Sequence, residues 1–180
     1  MSAGASGDSI EQGFLLKQIG CKAPRAELQR VLDLSLEIFE AEPNARDGGN
    51  LHYSCLDEWS KRLEHSDARI FYAEDAKSGN AVAFLFVHPR YNAHFEVTAL
   101  HVWLAGVTCS HRRCGLLSLM MESCRSHARS NFTILTISTV PEKFPVMKNY
   151  LDSSGWKCYF SESAAKLYYW FPLHDAKLLG

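Results

Sequence analysis

Leu104-Ala-Gly-Val-Thr-Cys-Ser-His-Arg-Arg-Cys-Gly-Leu-Leu117 is the stretch whose reading decides the fold. A β-rich run from Phe95 to Val107 ends, a turn carries Arg112 and Arg113, and a helix follows from Gly115 to Ala128. That helix sets Leu116, Leu117, Met120, Met121, Cys124 and Ala128 on its inner face. A helix start offers unpaired backbone N–H groups and a partial positive dipole, and the two arginines add fixed charge. Gly115 permits close approach of the backbone to a bulky anion such as a phosphate. No Gly-Lys-Ser/Thr follows and the three-glycine dinucleotide pattern is missing, so neither common nucleotide loop fits. Two readings stay open on these residues alone: an anion site, or arginines that only solvate a helix start.

Working outward, Phe14–Ile19 has the composition of a short strand, and Pro24 suits a first helical turn. Leu28, Val31, Leu32 and Phe39 recur at helical spacing, which predicts an amphipathic helix over 25–40. A shorter helix from Leu56 to Leu63 carries Trp59 and Leu63 on one side. Arg69–Glu74 and Ala81–Val87 read as a hairpin, with His88-Pro89 ending its second strand. Phe132–Ser138 reads as a buried strand, and Phe144, Met147 and Leu151 mark a helix stopped by Gly155. Trp156–Phe160 and Lys166–Leu173 supply two last strands. The expectation is one α/β domain over 13–180, a mixed, mostly antiparallel sheet of about seven strands with about four helices, after a disordered tail over 1–12.

Against that element order, the motif Arg112-x-x-Gly115-x-Leu117 resembles the pyrophosphate-binding segment of the GNAT superfamily of acyl-CoA-dependent N-acetyltransferases. The family pattern is Gln/Arg-x-x-Gly-x-Gly/Ala, so Leu117 departs from it. The resemblance spans residues 13 to 173. It implies acetyl-CoA as cosubstrate, with backbone groups of Ala105, Gly106 and Val107 along the pantetheine arm and thioester. Arg112, Arg113, Cys114, Gly115, Leu116 and Leu117 would hold the pyrophosphate.

The resemblance also points to His101, eleven residues before Arg112, where family members place a Glu or His base. Alternation sets Val97, Ala99, His101 and Trp103 on one strand face and Glu96 on the other. An amine of pKa around 10 must lose a proton before it attacks, and an imidazole near ~6.5 suits that task. The bland alternative is a histidine hydrogen-bonded within the sheet. The family's usual acid, a Tyr on the last helix, falls at Leu151; Tyr150, about 100° round the axis, is the neighbouring candidate. The family's frequent Asn near the start of that helix is replaced by Phe144. These departures leave a second reading, a catalytically inactive acyl-CoA-binding or sensor protein, and a third, an interaction domain that binds another anion.

Nineteen Lys+Arg against twenty Asp+Glu give a net charge of −1, which argues against nucleic acid as a partner. The longest apolar run, Ala81–Val87, is far below the roughly 20 residues that span a bilayer. With no signal-peptide pattern at the start, the expected location is cytoplasmic. The six cysteines read as reduced thiols, mostly packed as small apolar residues, and no metal site is expected. Residues 27–64 carry an acidic excess and 111–129 a basic one, which suits a cationic acceptor beside the CoA phosphates. Glu40 and Glu42 are the acidic candidates, unless they are a solvated helix face. Trp103, with Trp59, Tyr91 and Phe95, either walls an acceptor pocket or belongs to the core. The acceptor is a small-molecule or protein amine, and the chain a monomer or a homodimer.

Overall fold

The computed structural model describes residues 9–11, 13–40, 55–162 and 165–174. Eight strands form one sheet in the order β1-β2-β3-β4-β5-β6-β8-β7. They are β1 (Ser9–Glu11), β2 (Phe14–Ile19), β3 (Arg69–Asp75), β4 (Ala81–Asn92), β5 (Val97–Val107), β6 (Ile134–Thr139), β7 (Lys157–Glu162) and β8 (Lys166–Pro172). Every neighbouring pair is antiparallel except β5 and β6. Among the described residues the α-helices are α1 (Arg25–Glu40), α2 (Leu56–Leu63), α3 (Leu116–Ala128) and α4 (Pro145–Ser153). The expected mixed, mostly antiparallel sheet with four helices is thus present. Ser9–Glu11, within the stretch read as a tail, pairs with Phe14–Leu16 as an added edge strand.

Two apolar layers sandwich the sheet. On one face α1 and α2 bury Leu28, Val31, Leu32, Ile38, Trp59 and Leu63 against Ile70, Tyr72, Phe84, Phe86 and Leu104. On the other, α3 and α4 bury Met120, Met121, Cys124 and Leu151 against Phe71, Leu85, Val87, Leu100, Val102, Leu135 and Ile137. Each fully buried large side chain contributes about 1.5–3 kcal/mol by leaving water. α1 is also pinned by charge. Glu74 on β3 is 4% exposed and meets Lys17 Nζ at 2.8 Å and Arg30 Nη1 at 2.5 Å. Burial pushes its pKa up, but the two cations outweigh this and hold the carboxyl below its usual range.

Two strand features depart from the sequence expectation. β4 does not stop at His88-Pro89; it runs to Asn92 and pairs with β5 throughout. β3 pairs with β4 only as far as Val87, so Pro89 sits where the β3-side edge is already open. A missing N–H is tolerated there. The second feature is a bulge: Phe86 faces Leu104 but Val87 faces Val102, so Trp103 is the extra residue in the register with β4. The extra residue turns both Trp103 and Leu104 toward α1 and α2.

The cysteine expectation is corrected. All six thiols are free, but Cys21, Cys55, Cys109, Cys114 and Cys158 are exposed and only Cys124 is packed inside. The five fall in turns or on an outer strand, where no apolar layer covers them. Burial pushes the Cys124 thiol up to about 12.

Gly106 is where α1 touches β5. A Cβ there would lie 2.8 Å from Ile38 Cγ2 and 3.3 Å from Phe84 Cε1. Neither atom is the end of a flexible chain, so α1 would have to shift. Gly106→Ala is expected to cost about 1–3 kcal/mol, read as a lowered urea midpoint with an unchanged m-value.

Candidate active site

The site begins where β5 and β6 part. They are paired only at Leu100–Leu135, His101–Thr136 and Val102–Ile137, yet β5 continues to Val107 and β6 to Thr139. The bulge at Trp103 lies at the point of separation, and added twist there carries the rest of β5 away. Thr108 N donates to Val82 O at 2.9 Å. Since bonded and unbonded pairs alternate along an antiparallel ladder, Gly106 spends its backbone groups on β4. Ala105 and Val107 turn theirs toward the gap. Of the three strand residues expected along the cofactor arm, Ala105 and the Val107 N–H therefore face the gap, while the Val107 carbonyl accepts from Arg112 and Gly106 serves α1 and β4.

Apolar side chains line the same region. Ala105 and Val107 of β5, Leu117 of α3 and Met147 and Tyr150 of α4 are half-buried against one cluster. Tyr150 therefore reaches the α3 side of the sheet, while Leu151 beside it is 0% exposed in the core.

Past Val107 the chain makes a short 3-10 turn, Cys109–His111, then enters α3. Thr108 Oγ1 and Ser110 Oγ both lie 2.9 Å from His111 Nδ1 and brace the turn. Arg112 Nε donates to Val107 O at 3.4 Å, tying this arginine to the strand end. Arg113 is exposed with φ of 64°, a left-handed conformation that is strained for a side chain of its kind. Gly115, with φ of 76°, caps α3 and has nothing within 4 Å of where a Cβ would project. The first intrahelical bond runs from Leu119 N to Gly115 O at 3.0 Å, so the amides of Leu116, Leu117 and Ser118 precede it. Exposed Arg113 and Cys114, an open glycine and these amides lie together at the start of α3. Among the described residues, no three His, Cys, Asp or Glu side chains are grouped to hold a metal ion.

His101 lies on the α1–α2 face of β5, opposite to Leu100 and Val102, and it is not exposed for proton exchange. It is 6% exposed, and its Nδ1 lies 3.0 Å from Thr136 Oγ1 on β6. Burial, reinforced by the charges of Arg90, His88, Lys166 and Arg62, pushes its pKa down to about 3. The imidazole is thus bonded within the sheet, as the bland alternative had it, and burial favours its neutral form. His88, its partner across β4, was not singled out from sequence, because it was read as the end of a strand. Its Nδ1 lies 3.0 Å from Pro89 O and so donates; Nε2, 3.2 Å from Arg62 Nη1, accepts. Burial, against the Pro89 bond and with Arg62 and Arg90 nearby, lowers its pKa too.

Trp103 joins this group. The Arg62 guanidinium stands 4.1 Å above its ring, and Trp59, Phe86 and His88 surround it. Trp59 is core, whereas Trp103 is half-buried at its margin. Glu40 is exposed at the end of α1. Glu42 lies outside the described residues.

The buried histidine makes stability depend on pH. The unfolded chain takes up a proton near pH ~6.5, and the folded one only near 3. Stability is therefore intact above the unfolded value and lost as pH falls below it, by up to about 1.4 kcal/mol per unit. His101→Gln, which keeps a partner for Thr136, is expected to flatten the urea midpoint between pH 6 and 4 relative to wild type.

No protein-family model matches the sequence, and no curated protein matches it. Solved structures do. A GNAT-family acetyltransferase from Staphylococcus aureus superposes with a TM-score of 0.69 at 13% identity, over 88% of this chain and 99% of that one. An acetyltransferase from Streptococcus agalactiae gives 0.67 at 14%, over 90% and 99%. The ribosomal-protein-S5-alanine acetyltransferase of Vibrio fischeri gives 0.62 at 12%, over 94% and 98%. The parted strands, the glycine-capped helix and these superpositions agree: the chain has the fold of the GNAT-family acetyltransferases.

Proposed function

We propose that the protein transfers the acetyl group of acetyl-CoA to an amine by direct attack in a ternary complex. The observation that carries this reading is the parting of β5 from β6 immediately ahead of an open, left-handed glycine at the start of α3. The pantetheine arm would bond to backbone groups of Ala105 and Val107, and the pyrophosphate to the amides at the start of α3, with Arg113 and Cys114 beside it. Arg112 shapes the loop through Val107. In the reaction the amine nitrogen bonds to the thioester carbonyl carbon while backbone N–H groups of β5 steady the oxyanion. The C–S bond then breaks, the thiolate leaves with the pair, and the amide nitrogen gives up its extra proton to solvent.

His101, being neutral, is assigned to orienting the amine rather than to taking its proton. Burial holds this imidazole well below its ordinary range, which disfavours its taking the amine's proton. Solvent removes the proton instead, and the free amine reacts. Thiols have pKa values of about 8.5, so the leaving group needs little help; Tyr150 is the candidate for protonating it. Burial of Leu151 at the usual acid position and the neutral His101 also favour a second reading, acyl-CoA binding without transfer.

Calorimetry with acetyl-CoA separates these from an unrelated anion binder. Saturable binding weakened at least ten-fold in Arg113→Glu supports the cofactor site, and no binding at millimolar ligand overturns it. Release of free thiol on adding amines separates transfer from binding. If transfer occurs, log kcat/KM is expected to rise with unit slope from pH 6 to 8.5, without a break near 6.5. A plateau above pH 7 would instead restore a histidine base.

A further inference from the structure

α1 and α4 lie on opposite faces of the sheet, yet a ring from each side meets the other. Phe39, in the last turn of α1, packs with the layer of Trp59 and Phe84, whereas Met147, Tyr150 and Leu151 of α4 pack with the opposite layer. Phe144, the residue just before α4, nonetheless meets Phe39 edge to face, with ring centroids 6.0 Å apart at 78°. Both rings are placed by their surroundings. Phe39 stands edge-on to Phe84, which pairs with Gly106, and its neighbour Ile38 covers that glycine. Phe144 is fixed at the end of β6, where its N–H donates to Val140 O at 2.8 Å and its carbonyl accepts from Lys148 N at 3.2 Å. Pairing of β5 with β6 stops at Val102–Ile137, and Ala105 and Val140 each follow that pair by three positions. The rings therefore meet across the parted strands, at the level of Ala105 and Gly106.

Phe144 does little for its own helix. An N-cap position favours a side-chain oxygen that accepts from the first amides, and no side chain caps α4. What the half-buried ring supplies is an aromatic wall on the α1–α2 side of the gap. On the α3–α4 side the gap is bounded by the apolar margin of Ala105, Val107, Leu117, Met147 and Tyr150. With the pantetheine arm along Val107 and Ala105, the acyl carbons leave the thioester pointing away from the arm, toward Phe144 and Phe39. An acetyl group places a single methyl there, and a hexanoyl chain adds a run of methylenes. In an open channel each added CH2 strengthens binding by about four-fold. Against a closed wall the same carbons must displace packed rings, and overpacking reverses the gain.

We propose that Phe144, backed by Phe39, is the end wall of the acyl pocket and confines the donor to acetyl and propionyl groups. Phe144 is thereby a specificity-determining residue toward the acyl group. The proposal rests on the acyl-CoA reading of the gap, and it holds whether or not transfer follows binding.

The test is the calorimetric affinity for acetyl-, butyryl- and hexanoyl-CoA, each measured against free CoA, which needs no turnover. Wild-type protein is expected to bind hexanoyl-CoA at least ten-fold more weakly than acetyl-CoA, with butyryl-CoA between them. Phe144→Ala should shrink that difference at least ten-fold by strengthening hexanoyl-CoA, with free CoA unchanged within three-fold. Phe144→Leu, which keeps an apolar contact but removes the ring, should move the same way and carries the test should Phe144→Ala not fold. Wild-type affinity that stays level or rises with chain length, or a preference for acetyl that survives loss of the ring, overturns the proposal and leaves acyl-CoA binding intact. No binding of any of these ligands at millimolar concentration overturns the cofactor reading, and the proposal with it.

Discussion

The bulge at Trp103 is the constraint on which the rest of the molecule depends. One extra residue on β5, opposite the step from Phe86 to Val87, puts Trp103 and Leu104 on the same face. It also falls where the three-residue parallel pairing with β6 ends. Before it β5 is an ordinary interior strand; after it, Ala105 and Val107 keep β4 as a partner and turn backbone groups outward to an open edge. On this half-buried edge the Val107 carbonyl accepts from Arg112 Nε, and Ala105 turns to the gap beside β6. The glycine-capped start of α3, one short turn further on, lies at the end of the same strand.

The two sheet faces then divide the work. The α3–α4 face is apolar, and its half-buried margin around Ala105, Val107, Leu117, Met147 and Tyr150 suits an alkyl arm. The α1–α2 face carries charge in two places. Buried Glu74 with Lys17 and Arg30 anchors α1, helped by the 2.6 Å bond from Tyr72 Oη to Glu27. Breaking such a buried pair is costly, so it fixes the position of α1. α1 in turn presses Ile38 on Gly106 and Phe39 on Phe84 and Phe144. The second place, around His101, holds Arg62, paired with Glu58 and set over Trp103, beside two buried imidazoles.

Much of this was legible in the sequence because it rests on local periodicity. The spacing of Leu28, Val31 and Leu32, the Trp59–Leu63 pair and the inner row from Leu116 to Ala128 each report one buried helix face. Gly115 announced its own turn. What the sequence hid depends on contacts distant along the chain. Pro89 ends a strand only if both edges are paired, and one is not. Whether His101 is a base or a bonded sheet residue depends on Thr136, 35 residues away. Gly106 reads as a cofactor glycine until Ile38 is seen against it. The acidic excess of 27–64 is a property of composition, whereas the field at His101 comes from Arg62, Arg90 and Lys166, on three different elements.

Amide-resolved NMR of the labelled protein, titrated with acetyl-CoA, addresses the central claim most directly. The account predicts that the largest shifts fall on Ala105, Val107 and Leu116 to Ser118, while Gly106, bonded to β4, moves less. Shifts confined to other surfaces, or none at saturating ligand, would contradict it.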